Sequence, residues 1–133
     1  MGLFMTLSNL FSKATLAVAS ALFATTAAFA HPALLSSSPA DKSQGPAPAK
    51  IELKFSETLT TQFSGANLIM TGMPGMPNHG AMKINASVAG ASDGKTMIIT
   101  PASPLVAGDY RVEWRAVSSD THPVKGSFTF QVK

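Results

Sequence analysis

Tyr110-Arg111-Val112-Glu113-Trp114-Arg115-Ala116 places an apolar side chain at every second position and a charged one between each pair. A period of two puts Tyr110, Val112, Trp114 and Ala116 on one face of an extended strand and the three charges on the other, so one face is buried and the other meets water. The same alternation recurs downstream in Phe128-Thr129-Phe130-Gln131-Val132 and upstream in Ile51-Glu52-Leu53-Lys54-Phe55. Shorter β-type runs occupy Ala33 to Ser37, Ala66 to Thr71, Lys83 to Ala89 and Thr96 to Thr100, and clusters such as Ser92-Asp93-Gly94 mark turns between them. About seven short strands separated by turn signals predict an all-β fold, a single immunoglobulin-like sandwich. Tyr110, Val112, Trp114, Phe128 and Phe130 are its expected core, and Gln44 to Ala49, with Pro46 and Pro48, is an expected connecting loop.

At the amino terminus Lys13 precedes an apolar, Ala-rich run from Ala14 to Ala30 that closes on Ala28-Phe29-Ala30. That is the outline of a secretory signal peptide with an A-x-A cleavage site, and the run is shorter than the about 20 residues of a membrane span. Residues 1–30 are therefore expected to be removed, leaving residues 31–133 as one domain in the periplasm with no stable membrane insertion. The whole chain has ten Lys and Arg against seven Asp and Glu, and loss of Lys13 leaves nine against seven. These charges are scattered, so no nucleic-acid footprint is present. The absence of cysteine excludes thiolate metal sites and thiol chemistry.

In Met70-Thr71-Gly72-Met73-Pro74-Gly75-Met76-Pro77-Asn78-His79-Gly80-Ala81-Met82, a thioether or imidazole recurs at every third position. Methionine often fills irregular core gaps. Here the interleaved prolines and glycines disfavour a helix or central strand, so most of these side chains belong to a loop. An extended left-handed backbone with three residues per turn would align them on one face. Thioethers are soft, neutral ligands that suit Cu(I), which makes Met70, Met73, Met76, His79 and Met82 candidate Cu(I) ligands. Met70, following Leu68 and Ile69 at a strand end, is the one expected to be partly structural.

A second constellation joins His31, which cleavage would place at the new amino terminus, with Asp120-Thr121-His122. The freed α-amine and the imidazole of His31, the imidazole of His122 and the carboxylate of Asp120 make a nitrogen-rich donor set that suits tetragonal Cu(II). Pro32 lacks an amide proton and so blocks the alternative in which deprotonated backbone amides wrap the ion. The Asp-x-His spacing would put both side chains on one side of an extended backbone. A lone histidine after a cleavage site, or a lone Asp-x-His, is usually solvent-facing; their occurrence together beside a methionine-rich loop is what favours a metal.

His31-Pro32, Ile51-Glu52-Leu53-Lys54-Phe55-Ser56-Glu57, Gln62-Phe63-Ser64-Gly65-Ala66, the methionine segment and Trp114-Arg115-Ala116-Val117-Ser118-Ser119-Asp120-Thr121-His122-Pro123 together resemble the CopC family of periplasmic copper-resistance proteins. The resemblance covers essentially all of residues 31–133. It implies a Greek-key β-barrel or sandwich, a Cu(II) site at His31, Asp120 and His122, and a separate Cu(I) site drawn from Met70, Met73, Met76, His79 and Met82. It also implies copper homeostasis and resistance as the role, with an inner-membrane copper-uptake protein of the CopD type or another Cop-system component as partner. His79 stands three positions after Met76, where the family's loop places its histidine two after.

A copper monooxygenase would also use an amino-terminal histidine with a second imidazole, but Asp120 would fill the position that oxygen or substrate needs. An immunoglobulin-like structural or interaction module with incidental metal affinity is the third class, since fold alone does not set function. Ser118 and Ser119 adjoin Asp120 and His122 without making a catalytic triad, which depends on spatial geometry rather than adjacency. The chain is expected not to be an enzyme.

Overall fold

The computed structural model describes residues 31–76 and 80–133, so the signal-peptide reading of residues 1–30 falls outside the described residues. Nine strands make up its regular structure: β1 Leu34–Ser38, β2 Ser43–Gly45, β3 Ile51–Phe55, β4 Gly65–Gly72, β5 Met82–Ile84, β6 Ala86–Gly90, β7 Thr96–Pro101, β8 Gly108–Val117 and β9 Pro123–Val132. Among the described residues there is no helix, and hence none long and apolar enough to cross a membrane. The strands form a four-stranded sheet in the order β1-β3-β7-β6 and a five-stranded sheet in the order β2-β9-β8-β4-β5. The chain crosses repeatedly between the two layers, which makes this an immunoglobulin-like Greek-key sandwich.

The segment that predicts the fold is also its spine. β8 and β9 pair antiparallel over ten successive residues, from Gly108↔Val132 to Val117↔Pro123. Alternation along β8 buries Tyr110, Val112, Trp114 and Ala116, as the sequence pattern requires. Tyr110 stacks on its cross-strand partner Phe130 with ring centroids 5.4 Å apart, and its hydroxyl donates to the Val106 carbonyl at 2.6 Å. Trp114 lies opposite Gly126, where any Cβ would collide with the indole. The space that glycine leaves lets Trp114 meet Phe55 of the other sheet edge to face at 5.1 Å. Such a pair contributes about 0.5–1.5 kcal/mol beyond its buried area and ties the two layers together.

Two of the nine strands were not separable by pattern. The run Lys83 to Ala89 reads as one strand but breaks at Asn85: β5 pairs with β4 in one sheet and β6 with β7 in the other. A strand that changes sheets at a corner keeps its alternation, so composition alone does not reveal the switch. β2 lies at the start of the stretch expected to be a loop and pairs parallel with β9 over three residues, too few to show a period.

Candidate metal centre

Three polar side chains from the two ends of the domain meet at one end of the sandwich. His31 arrives on a segment fixed in place before β1 begins. Pro32 is fully buried, Ala33 N donates to Ser56 Oγ at 2.9 Å, and Ser56 N donates to the Ala33 carbonyl at 2.9 Å. Asp120 and His122 come from the loop that leaves the β8–β9 ladder after Val117↔Pro123. Ser118, buried at the foot of this loop, donates its hydroxyl to Asp120 Oδ1 at 3.1 Å, and the same oxygen accepts from His122 N at 3.2 Å. Thr121 N donates to the Ser118 carbonyl at 3.0 Å.

The backbone here is turned rather than extended. Thr121 has φ 66°, a left-handed conformation that β-branched residues rarely adopt. Asp120 and His122 therefore converge through a hydrogen-bonded turn and not through the alternation of an extended strand. Ser118, which makes no catalytic triad, orients the carboxylate; its signal in the sequence is a hydroxyl two positions before the aspartate.

His31 Nδ1 lies 2.8 Å from Asp120 Oδ2, and the His31 and His122 rings sit 6.1 Å apart, tilted by 48°. One ligand atom from each of the three residues falls within 4.8 Å of the other two. Ligands on opposite sides of one ion, each held by a bond of about 2 Å, lie about 4 Å apart, so small side-chain rotations close the set around a metal. Asp120 Oδ2 is sealed from solvent and receives no directional hydrogen bond. Burial pushes the Asp120 carboxyl up, but the His122 amide, the Ser118 hydroxyl and the charges of His31 and His122 outweigh it and hold the group below the usual carboxylate range. A solvent-sealed carboxylate oxygen whose one close polar neighbour is the His31 imidazole, with a second imidazole nearby, fits a cation with a preference for N and O ligands.

The methionine segment lies at the opposite end of the ladder. Met70 faces Met82 across β4 and β5, and Met73 faces Met76 across a tight turn, with Met73 N donating to the Met76 carbonyl at 3.1 Å and the reverse bond at 2.9 Å. Pro74 and Gly75 form the corner, and Gly75 at φ 80° supplies the positive φ that a type II turn needs after proline. Directly opposed residues project to the same face. A hairpin turn, not a left-handed extended helix, thus brings Met73 and Met76 together. Met70 is only 4% exposed and belongs to the core, whereas Met73, Met76 and Met82 are 38%, 57% and 54% exposed. Pro77 to His79 lie outside the described residues, so the structure assigns no place to His79.

The CopC domain model matches residues 34–133. This chain belongs to the CopC family. Copper resistance protein C of Pseudomonas syringae pv. tomato is 67% identical to it over 104 residues, 78% of this chain and 82% of the relative. Copper resistance protein C of Escherichia coli is 58% identical over 106 residues, 80% of this chain and 84% of the relative. The crystal structure of PcoC, a methionine-rich copper resistance protein from Escherichia coli, superposes with a TM-score of 0.73 at 57% identity, covering 78% of this chain and 100% of that one. These CopC relatives are copper-resistance proteins.

Proposed function

We propose that this CopC-family protein is a periplasmic copper carrier and buffer with two chemically distinct sites. Cu(II) is held by the imidazoles of His31 and His122, the carboxylate of Asp120 and, once the signal peptide at residues 1–30 has been cleaved, the α-amine of His31. Cu(I) is held by Met73, Met76 and Met82 with His79, while Met70 packs the core beneath them. The observation that carries this reading is the convergence of His31, Asp120 and His122, one ligand atom from each within 4.8 Å of the others, around a carboxylate oxygen sealed from solvent. The exposed thioethers complement it with ligands suited to the softer oxidation state.

Position argues for exchange between molecules. Gly72, beside the methionine turn, pairs with Asp109, and the Cu(II) loop begins after Val117. The eight residue steps between them span about 27 Å at the rise of a β-strand, too far for one ion to be shared. Copper therefore enters and leaves each end separately, passing to an inner-membrane copper-transport protein of the CopD type or another Cop-system component.

The test is a paired titration of protein beginning at His31, with Cu(II) in air and with Cu(I) under anaerobic reduction, followed by electron spin resonance and X-ray absorption. A nitrogen- and oxygen-rich Cu(II) shell and a sulfur-rich Cu(I) shell on the same protein are expected. A single shared coordination shell for both oxidation states would overturn the two-site carrier.

A further inference from the structure

The outer face of the five-stranded sheet carries a groove of about 660 Å³ beside the Cu(II) loop, bounded by Phe63, Asn67, Glu113, Trp114, Arg115 and Lys125. Arg115 and Lys125 are direct cross-strand partners, and both side chains are exposed. Like charges placed directly opposite each other destabilise a sheet. Neither has an ion pair among the described residues, because the adjacent carboxylate, Glu113, is taken by Arg111 at 3.0 Å. On the other side of Arg115 stands Gly65, whose missing side chain leaves the floor open. Phe63 forms one wall and is 57% exposed, a large aromatic surface left in water.

The groove is also tied to the copper loop. Ser64, next to Phe63, accepts from Val117 N at 3.0 Å and donates to the Val117 carbonyl at 3.3 Å, and Thr60 N donates to that carbonyl at 2.7 Å. Val117 is the last β8 residue before Ser118, and the Arg115↔Lys125 pair stands two residue steps from the end of the ladder. A chain lying in the groove would therefore sit about 7 Å from the root of the Cu(II) loop.

We propose that this groove is the docking site for an acidic segment of a protein partner, whose carboxylates pair with Arg115 and Lys125 while an apolar side chain covers Phe63. Charge complementarity selects the occupant: the two unpaired cations are concentrated beside an aromatic wall, and the one acid within reach is already neutralised. An anionic membrane surface would call for a cluster of about four to eight cations, and this groove has two. The groove's chemistry does not depend on copper; the carrier reading only explains why a partner would dock beside that loop.

The test uses metal-free protein beginning at His31 and a short peptide alternating glutamate with leucine, against its lysine-for-glutamate counterpart. Binding is followed by NMR shifts. The acidic peptide should perturb residues 62–67, 113–115 and 125, weaken as salt rises, and bind about fivefold to tenfold more weakly to R115A/K125A. F63A should weaken it independently. Unchanged Cu(II) spin-resonance spectra of both variants would show that fold and copper site are intact, so that a failed peptide and a failed copper site remain separate results. Absence of acidic-peptide binding, equal binding of the lysine peptide, or shifts outside the groove would overturn the proposal. So would saturation of the same shifts by sodium acetate alone, which would mean a simple anion site. Retention on phosphatidylglycerol vesicles that R115A/K125A abolishes, without peptide binding, would replace the protein partner with a membrane surface.

Discussion

The two ends of the β8–β9 ladder solve the problem of presenting ligands in opposite ways. At the Val117 end, His31 and Asp120 are fixed by a buried proline, a buried serine and a turn held at an unfavourable φ, and the ligand set includes a charged group. At the Gly108 end, Met73 and Met76 stand exposed on a four-residue turn, held by their own backbone pairing and carrying no charge. The first arrangement suits an ion that demands defined geometry and attracts anions; the second suits a soft ion that accepts a flexible neutral shell. Rigidity is invested where coordination geometry matters.

Replacing a ligand at the rigid end should separate the two ends most sharply. Outer partners of metal ligands typically cost 10–100-fold in affinity, so His122→Ala or His31→Ala should lower Cu(II) affinity by about a hundredfold or more, with Cu(I) affinity unchanged in competition titrations. A residue appended before His31 would remove the α-amine and should shift the Cu(II) spectrum towards fewer nitrogens.

Acid should act in the same direction. Imidazoles and α-amines ordinarily bind protons near 6.5 and about 7.7–8, and metal must displace those protons, so lowering pH from about 7 to 5 should weaken Cu(II) by tens of fold for each nitrogen ligand that must give up a proton. Thioethers bind no proton in that range, and the sulfur-rich Cu(I) signal should persist. Asp120 enters later. Its folded carboxyl is held below the ordinary value, so its contribution to stability is present above the unfolded value and is lost as pH falls through the lowered folded one. Acid unfolding of metal-free protein followed by circular dichroism should shift when Asp120 is replaced by Asn.

At the Gly108 end, Met73→Leu with Met76→Leu should lower Cu(I) affinity by about tenfold and leave the Cu(II) spectrum untouched. Met70→Leu conserves volume in the core and should cost less than about 1.5 kcal/mol of stability with little loss of Cu(I) affinity. A large loss of Cu(I) from Met70→Leu alone would dissolve the distinction between the core and exposed methionines.

Stability rather than metal affinity should respond to the glycines that let each end pack. A Cβ at Gly126 would strike Trp114, and one at Gly108 would come within 2.6 Å of the Gly72 carbonyl and 2.8 Å of Met70 Cε. Gly126→Ala and Gly108→Ala should each destabilise by about 1–3 kcal/mol, measured by thermal denaturation. The former should disturb the Cu(II) end and the latter the Cu(I) end.

What sequence revealed follows the same division. Alternation in β3, β8 and β9 is local and strong, so the sandwich and its core aromatics were legible. Pro74-Gly75 was present as a turn signal, yet the threefold spacing of sulfur suggested an extended helix and concealed the cross-strand pairing of Met73 and Met76. The break at Asn85 and the three-residue β2 carry no period of their own and depend on what they pack against. His31, Asp120 and His122 were grouped by their chemistry and do lie together, but the left-handed Thr121 and the support from Ser118 are tertiary facts. The opposition of Arg115 and Lys125 needs the register of two strands, which no single segment contains.

The ten-residue ladder has one more consequence. Electron tunnelling falls off exponentially with distance, and a β-ladder about 27 Å long separates the two proposed sites. On the two-site reading proposed above, the fold would be an insulator as well as a scaffold, slowing electron exchange between copper at one end and copper at the other.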